Sequence, residues 1–527
     1  MLRLIFVLII FFQLVSSFAQ NAGTPGKVRI KIVKADALRH DDKIGKNTQS
    51  LIGDVALSHV NTFLYCDSAY MYNDSNMVHA YGNVHIIQND SIHLYGDYLE
   101  YEGNQNLAKM RKNVRANKGT TWLYTEFLDY DRASDVGYFF NKGKVVNLQN
   151  VLTSELGYYY PNINEVFFKD SVVATTPDYK MYGDTMRYNT QTEVVKILGP
   201  TRILSDSTLI YSENGWYDTR NDVSQLLKNS YIQGKEHLLE GDTIFYNRRT
   251  GLGEVFGRMS LHDTTNHTVI KGDYGFYNEL TKLALATKRA LMLQISGKDT
   301  LFMHADTFKV DPLPLEDSRI VRAFRNVKFF RFDLQGRCDS LVYDFRDSTS
   351  TMFYQPVVWA QGNQMTAQQV KLYMKNQLLY KAELLNTAFI IAPEDTSGYN
   401  QVKGKQMTGY IRNNELYRID VDGNGQTIYY PKDKEQVMGV NRAESSNMTL
   451  FMRKKKISDI IMRVSPAGNM NPLFVLPPDE LQLKGFMWLD SYRPKTKDEI
   501  FLKLEIPESF DQRDEFDGYE YEEIKAQ

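Results

Sequence analysis

The chain repeats itself about every twenty-nine residues, and that period limits its fold more than any other feature. GDTMRYNT (Gly183–Thr190) returns as GDTIFYNRRT (Gly241–Thr250), with SENGWYDT midway, so that Asp184, Glu213 and Asp242 stand in step. Earlier copies put Glu155 with Tyr159, Glu126 with Tyr130 and Asp97 with Tyr101 in the same phase, after CDSAYMYN at Asp67. Later copies, at Asp273 with Tyr277, at Asp306, and at Asp339 with Tyr343, follow with small insertions. A sustained period of this length predicts a stacked-repeat architecture in which each unit buries its apolar face against its neighbours.

Within one copy the alternation reads as strand, turn, strand. In GDYLEYEG, Leu99 and Tyr101 share one face; Leu128 and Tyr130, Met186 and Tyr188, Ile244 and Tyr246, and Leu341 and Tyr343 are their counterparts. Residues between them, such as Thr185 and Arg187, are of mixed polarity, the period-two pattern of a half-buried strand. EGNQ, DRAS, NTQT, DTRN, NRRT and NELT then occupy equivalent places, and their Asn and Asp residues favour turns. A second alternating run follows, with Val84, Val114, Val172 or Met259 seventeen residues after the acid, often in text such as YGNVHI. Three copies carry Gly at the inward position, Gly157, Gly215 and Gly275. Either bulky neighbours such as Trp216 and Phe276 demand a small partner, or the lumen is left partly unfilled for a ligand.

The flanks are of a different kind. Residues 1–19 combine Arg3, an apolar run from Leu4 to Phe12 and the small residues Ser17 and Ala19, which reads as a cleavable secretory signal. No Cys follows it, so a lipoprotein anchor is not expected. Residues 20–50 form a leader, and the repeats run over 51–450. Six prolines from Pro466 to Pro507 interrupt the pattern, so 451–505 is expected to cap the last strand edge, and the acidic 506–527 to be a disordered tail. With 62 Lys plus Arg against 64 Asp plus Glu, the charge balance offers nothing to a nucleic-acid partner.

The two cysteines, Cys66 and Cys338, occupy the same repeat position nine copies apart. At two strands per copy and roughly 4.8 Å per strand they stand far beyond the ~7 Å Cα separation a disulfide allows, so two buried free thiols are expected. Catalytic and metal chemistry find little support. The recurring acids Asp97, Asp184 and Asp242 could be paired carboxylates, but an acid in every copy fits a structural hydrogen-bonding position better. His79, His85 and His93, or His262 with His267, lack the Cys or acidic partners of a metal site. No cofactor and no enzymatic activity are expected.

The alternating GNV and A/G-D-x-h-x-Y-D/N texts on an exported β-rich chain resemble the OstA family, the LptA-like lipopolysaccharide-transport proteins, over about 51–450. The match is nearest to the long OstA-like members of Bacteroidetes-type bacteria. The resemblance implies an all-β fold, an elongated stack of antiparallel strands in an open jelly-roll or β-taco solenoid. It implies a periplasmic bridge whose apolar groove shelters the acyl chains of lipopolysaccharide or another envelope lipid. Other Lpt-type components would join end to end by strand addition. The inward residues Leu99, Tyr101, Leu128, Tyr130, Met186, Tyr188, Ile244, Tyr246, Leu341 and Tyr343 would then line that groove. A secreted carbohydrate-binding or adhesive β-solenoid is the alternative, with exposed Tyr and Trp as its contact surface. A full LptD-like protein is not expected, because an outer-membrane barrel would need many more amphipathic strands after the repeats.

Overall fold

The computed structural model describes residues 28–504, apart from 41–44, 298, 315–318, 376–377, 395–397, 414, 434–435, 454–455 and 474–475. The expected signal segment, residues 20–27 of the expected leader and the acidic tail lie outside the described residues. Among the described residues the regular structure is antiparallel strand with short 3₁₀ turns, and no helix is long and apolar enough to cross a membrane. The chain forms two compact units, one of residues up to Asp206 with Trp216–Asn221, the other of Ser207–Gly215 with the remainder.

In the first unit, β1 (Lys31–Lys34) and β2 (Ala37–His40) both pair with β3 (Thr48–His59), so the ladder begins inside the stretch read as a leader. Then β4 (Thr62–Tyr72), β5 (Met77–Gln88), β6 (Ile92–Glu102), β7 (Leu107–Lys118), β8 (Thr121–Asp131) and β9 (Val136–Asn147) follow as sequential hairpins.

Every second strand is broken near its middle by two residues in left-handed conformation: Gly53–Asp54 in β3, Gly82–Asn83 in β5, Lys112–Asn113 in β7 and Asn141–Lys142 in β9. At each break the register slips, two residues facing one, which is a β-bulge. The GN of the GNV text is this bulge, since Gly and Asn adopt positive φ at least cost. The single residue facing it is the acid of the motif, and in several copies its carboxylate reaches the bulge of the next strand. Asn83 donates to Asp67 at 2.9 Å, Asn113 to Asp97 at 2.6 Å, and Arg258 to Asp242 at 2.8 Å. A Cβ on Gly82 would lie 2.3 Å from the Asp67 carboxylate, so the approach requires glycine there. The repeated acids are therefore structural. Other copies differ: Glu126 accepts from the Asn113 amide of the bulge it faces, and Asp184, whose partner position falls in Gly199–Pro200, accepts from the Thr185 hydroxyl.

The bulge also shifts the alternation by one residue, which keeps a single face inward along a bent strand. In β6, Ile92, Leu94 and Gly96 are buried before the acid and Leu99 and Tyr101 after it. The two halves thus form two half-sheets with facing inner surfaces. Half-sheet I carries the motif tyrosines and half-sheet II the GNV valines; Val84, Val114, Val172 and Met259 are all buried. Each inward aliphatic stabilises the stack by roughly 1.5–3 kcal/mol. The Asn-rich turns stack as expected, Gly103 donating to Asn76, Arg132 to Asn106 and Thr190 to Asn164 through backbone bonds of 2.8–3.0 Å.

The second unit repeats the plan from Leu252–Asp263 and Thr268–Asn278 onward. The expected cap at 451–505 divides in two. Lys456–Arg463 and Ala467–Asn471 still pair with Val440–Arg453, extending the ladder. Residues 476–504 leave the sheet and run back as a strap across the outer face of half-sheet II, over Gln401, Gln364, Gln335 and Lys328 in turn. Gln401, Gln364 and Gln335 belong to one unbroken row of cross-strand partners, and Lys328 to the row beside it, which runs through Arg337 and Val357. Gln364 clamps the strap by donating to the Met487 carbonyl and accepting from the Leu489 amide, both 2.7 Å; Gln401 does the same with Leu481 and Leu483. Leu489 packs on Val357 and Trp359, and Leu483 on Phe389, Ile391 and Ile428.

Candidate functional site

The interior seam between the half-sheets is where the ten predicted groove residues lie. All are buried except Tyr343, which is half-buried with its ring edge-on to Phe345. Leu128 pairs with Met110 and Phe139, and Met186 with Phe168 and Ile197, so the apolar lining continues from strand to strand. The residues that alternate with them behave oppositely: Thr185 and Arg187, and Thr243 beside Ile244, are partly exposed.

The seam widens at the amino-terminal end of the first unit. There a small open-mouthed pocket, with a cavity volume of about 20 Å³, is lined by Leu57, Leu64, Ile86 and Leu94 from half-sheet II and by Leu99 and Ala108 from half-sheet I. Tyr101, Tyr130, His59, Thr62, Asn106 and Arg132 are also part of its lining. Of the ten predicted residues, Leu99, Tyr101 and Tyr130 meet in this pocket; the others line the seam elsewhere, Ile244, Tyr246, Leu341 and Tyr343 in the second unit. The half-sheet II wall was not singled out from the sequence, although the alternation after Val84 (His85, Ile86, Ile87, Gln88) carried the signal.

The mouth is held by polar bonds between the halves. The Tyr101 hydroxyl lies 2.6 Å from His59 Nδ1, and His59 Nε2 lies 3.0 Å from the Val28 carbonyl. A carbonyl only accepts, so Nε2 carries the proton and Nδ1 accepts from the tyrosine. Burial lowers the His59 pKa and raises that of Tyr101, which keeps both neutral in this bond. The Arg132 guanidinium donates to the His59 carbonyl. Deeper in the unit the Tyr188 hydroxyl is held by Asn147 at 3.1 Å and by Asn150 at 3.4 Å. Thr62 Oγ1, buried in the pocket wall, makes no hydrogen bond among the described residues.

The three inward glycines leave no vacancy, contrary to the unfilled-lumen reading. A Cβ on Gly157 would stand 2.4 Å from the Phe139 ring, one on Gly275 2.2 Å from the Leu285 carbonyl, and one on Gly215 2.1 Å from the Gln225 carbonyl. Phe139 and close backbone packing, rather than Trp216 or Phe276, require the missing side chain. Both cysteines are free and buried; burial pushes the Cys66 thiol up to about 12 and that of Cys338 higher still. His85 and His93 stack on one another, and His262 lies 3.2 Å from Glu240. Among the described residues no three His, Cys, Asp or Glu side chains gather as a metal site would need.

Comparison with known proteins follows the repeats. A family model described as OstA-like protein matches residues 27–184 and 180–293, just over half of the chain. No curated protein sequence matches. Among solved structures, LptH from Pseudomonas aeruginosa, described as the LptA homologous periplasmic component of the lipopolysaccharide transport device, is similar over 26% of this chain and 95% of its own. The identity is 10% and the TM-score 0.21.

Proposed function

The chain belongs to the OstA-like protein family, and on that premise we propose that it is an exported, periplasmic lipid carrier, a bridge protein that shelters acyl chains of lipopolysaccharide or a related envelope lipid between its half-sheets. The observation that carries this reading is the apolar seam itself, which receives one Leu, Met or Ile and one Tyr from successive repeats and opens into the pocket around Leu99 and Tyr101. Hydrocarbon in water costs roughly 0.8 kcal/mol per CH₂, so an uninterrupted apolar strip removes a barrier of many kcal/mol while a sugar headgroup stays in solvent. Repetition of one lining chemistry gives nearly equal sites, and a lipid can slide along them without a deep trap. The seam is closed in this structure by bonds such as Tyr101–His59, and loading requires the half-sheets to part there. No step needs a catalytic group.

Strand edges supply the means of joining other bridge components. Among the described residues β1 and β2 pair only with β3, and Ala467–Asn471 only with Val440–Arg453. Such edges accept a further strand. Mass spectrometry of lipids extracted from protein purified out of its native envelope tests the reading. An acylated lipid in near-stoichiometric amount is expected; polysaccharide alone would favour the carbohydrate-binding solenoid instead.

A further inference from the structure

The outer face of half-sheet II is treated differently in the two units. In the second unit the strap covers it. In the first unit the corresponding row, Tyr65, His85, Tyr95, Arg115, Tyr124 and Lys144, joined pair by pair across β4 to β9, is open, with no described segment over it. Tyr65 and Tyr124 are 38% and 39% exposed, and the neighbouring Phe63 is 41% exposed. Aromatic side chains at least partly exposed on four of six adjacent strands, with exposed cations on the other two, mark a contact surface.

Its charge is one-sided. Arg115 lies over the Tyr95 ring at 5.4 Å, and among the described residues neither Arg115 nor Lys144 makes an ion pair with a carboxylate. On the outer face of half-sheet I in the same unit the cations are neutralised, Lys109 by Glu100 and Glu102, Arg111 by Asp129. The occupant of the open row must therefore bring the negative charge.

Ring geometry selects among anions. His85 and Tyr95 stack at 4.3 Å and 10°, Tyr95 and Trp122 at 20°, Trp122 and Tyr124 at 22°. Rings stacked on one another turn their edges, not their faces, to the solvent, which leaves no flat platform for a sugar ring but does leave furrows between side chains. The strap shows what this side of the fold accepts: an extended peptide crossing the strands, anchored by apolar side chains and by side-chain bonds to its backbone.

We propose that the outer face of half-sheet II in the first unit, along Tyr65–His85–Tyr95–Arg115–Tyr124–Lys144, is a docking surface for an extended acidic, aromatic-containing peptide segment of a partner protein. The peptide would lie across β4–β9 as the strap lies across the second unit, its carboxylates against Arg115 and Lys144 and its apolar side chains between the standing rings.

A random glutamate–tyrosine copolymer labelled for fluorescence anisotropy serves as the probe on the full-length protein, with a lysine–tyrosine copolymer and dextran sulfate as parallel arms. The proposal expects saturable binding of the acidic copolymer alone. It expects that Arg115→Glu with Lys144→Glu, both at exposed positions, weakens this binding at least tenfold, that Arg115→Lys with Lys144→Arg retains it within threefold, and that Arg187→Glu on half-sheet I changes it less than twofold. Circular dichroism confirms that each variant is folded. In the native envelope, a photo-crosslinking residue at Trp122 should join one polypeptide through a mappable acidic segment, and the charge-reversed variant should lose that adduct. Absence of copolymer binding, equal loss in the Arg187→Glu variant, dextran sulfate binding as tightly as the copolymer, or glycan-only adducts would each overturn it.

Discussion

Replacing Ala108 by Leu tests the amino-terminal pocket without introducing charge. Ala108 is buried in register between Tyr101 and Tyr130 and forms part of the pocket wall. Leucine adds three carbons. If they enter open space, about 0.8 kcal/mol each gives roughly 2.4 kcal/mol of added stability, whereas overpacking would cost about 1–3 kcal/mol. The same three carbons displace about three methylenes of a bound chain. That loss of ~2.4 kcal/mol corresponds to roughly fifty-fold weaker lipid binding at this end of the seam. Thermal unfolding and titration with a fluorescent acylated lipid give the two readouts. Stability held or raised, with lipid affinity sharply reduced, is the expected pair. Unchanged lipid affinity in a stably folded variant would refute the assignment of this pocket to acyl chains.

Further expectations concern the frame around the seam. Because the folded pKa of His59 is lowered from 6.5, the unfolded chain takes up a proton first as pH falls. The contribution of His59 to stability is thus complete above about pH 6.5 and lost below it. The melting temperature should fall from pH 7.5 to 5.5, and His59→Gln should flatten part of that slope; an identical slope would remove His59 from the account. Gly157→Ala should destabilise the first unit by roughly 2–4 kcal/mol in chemical denaturation, because the added carbon meets Phe139 at 2.4 Å and the Phe167 carbonyl at 2.6 Å. A variant as stable as the parent would mean those neighbours yield freely. The Cys66→Ser, Cys338→Ser double variant should keep the parent's β circular dichroism, and native thiols should resist alkylation; an intramolecular disulfide on non-reducing electrophoresis would contradict the stacked repeat.

Much of this fold can be read from the letters because each repeat states the same rule. Leu99 with Tyr101 and Met186 with Tyr188 predict the inward face, and the Asn-rich turns predict where hairpins reverse. The role of the motif acid is only half legible. Its regularity points to structure, but that Asp67 faces one bulge and bonds the next depends on a register slip that alternation alone does not reveal. Leu57, Leu64, Ile86 and Leu94 face the motif tyrosines only because the bulge folds each strand back over the seam. The strap is the least legible part. Its prolines mark the end of the ladder, but the residues that hold it, Gln364 and Gln401, lie eighty or more positions away and carry no periodic signal.

Photo-crosslinking in the native envelope tests the lipid-bearing seam most directly. A benzoylphenylalanine is placed in turn at inward Leu128, Met186, Tyr188, Ile244 and Tyr246 and at outward Thr185, Arg187 and Thr243. Folding of each variant is checked by protease resistance, since the larger residue enters a packed interior. The account predicts acylated lipid adducts at the inward positions and none at the outward ones. Equal capture on both faces, or capture of polysaccharide without acyl chains, would contradict it.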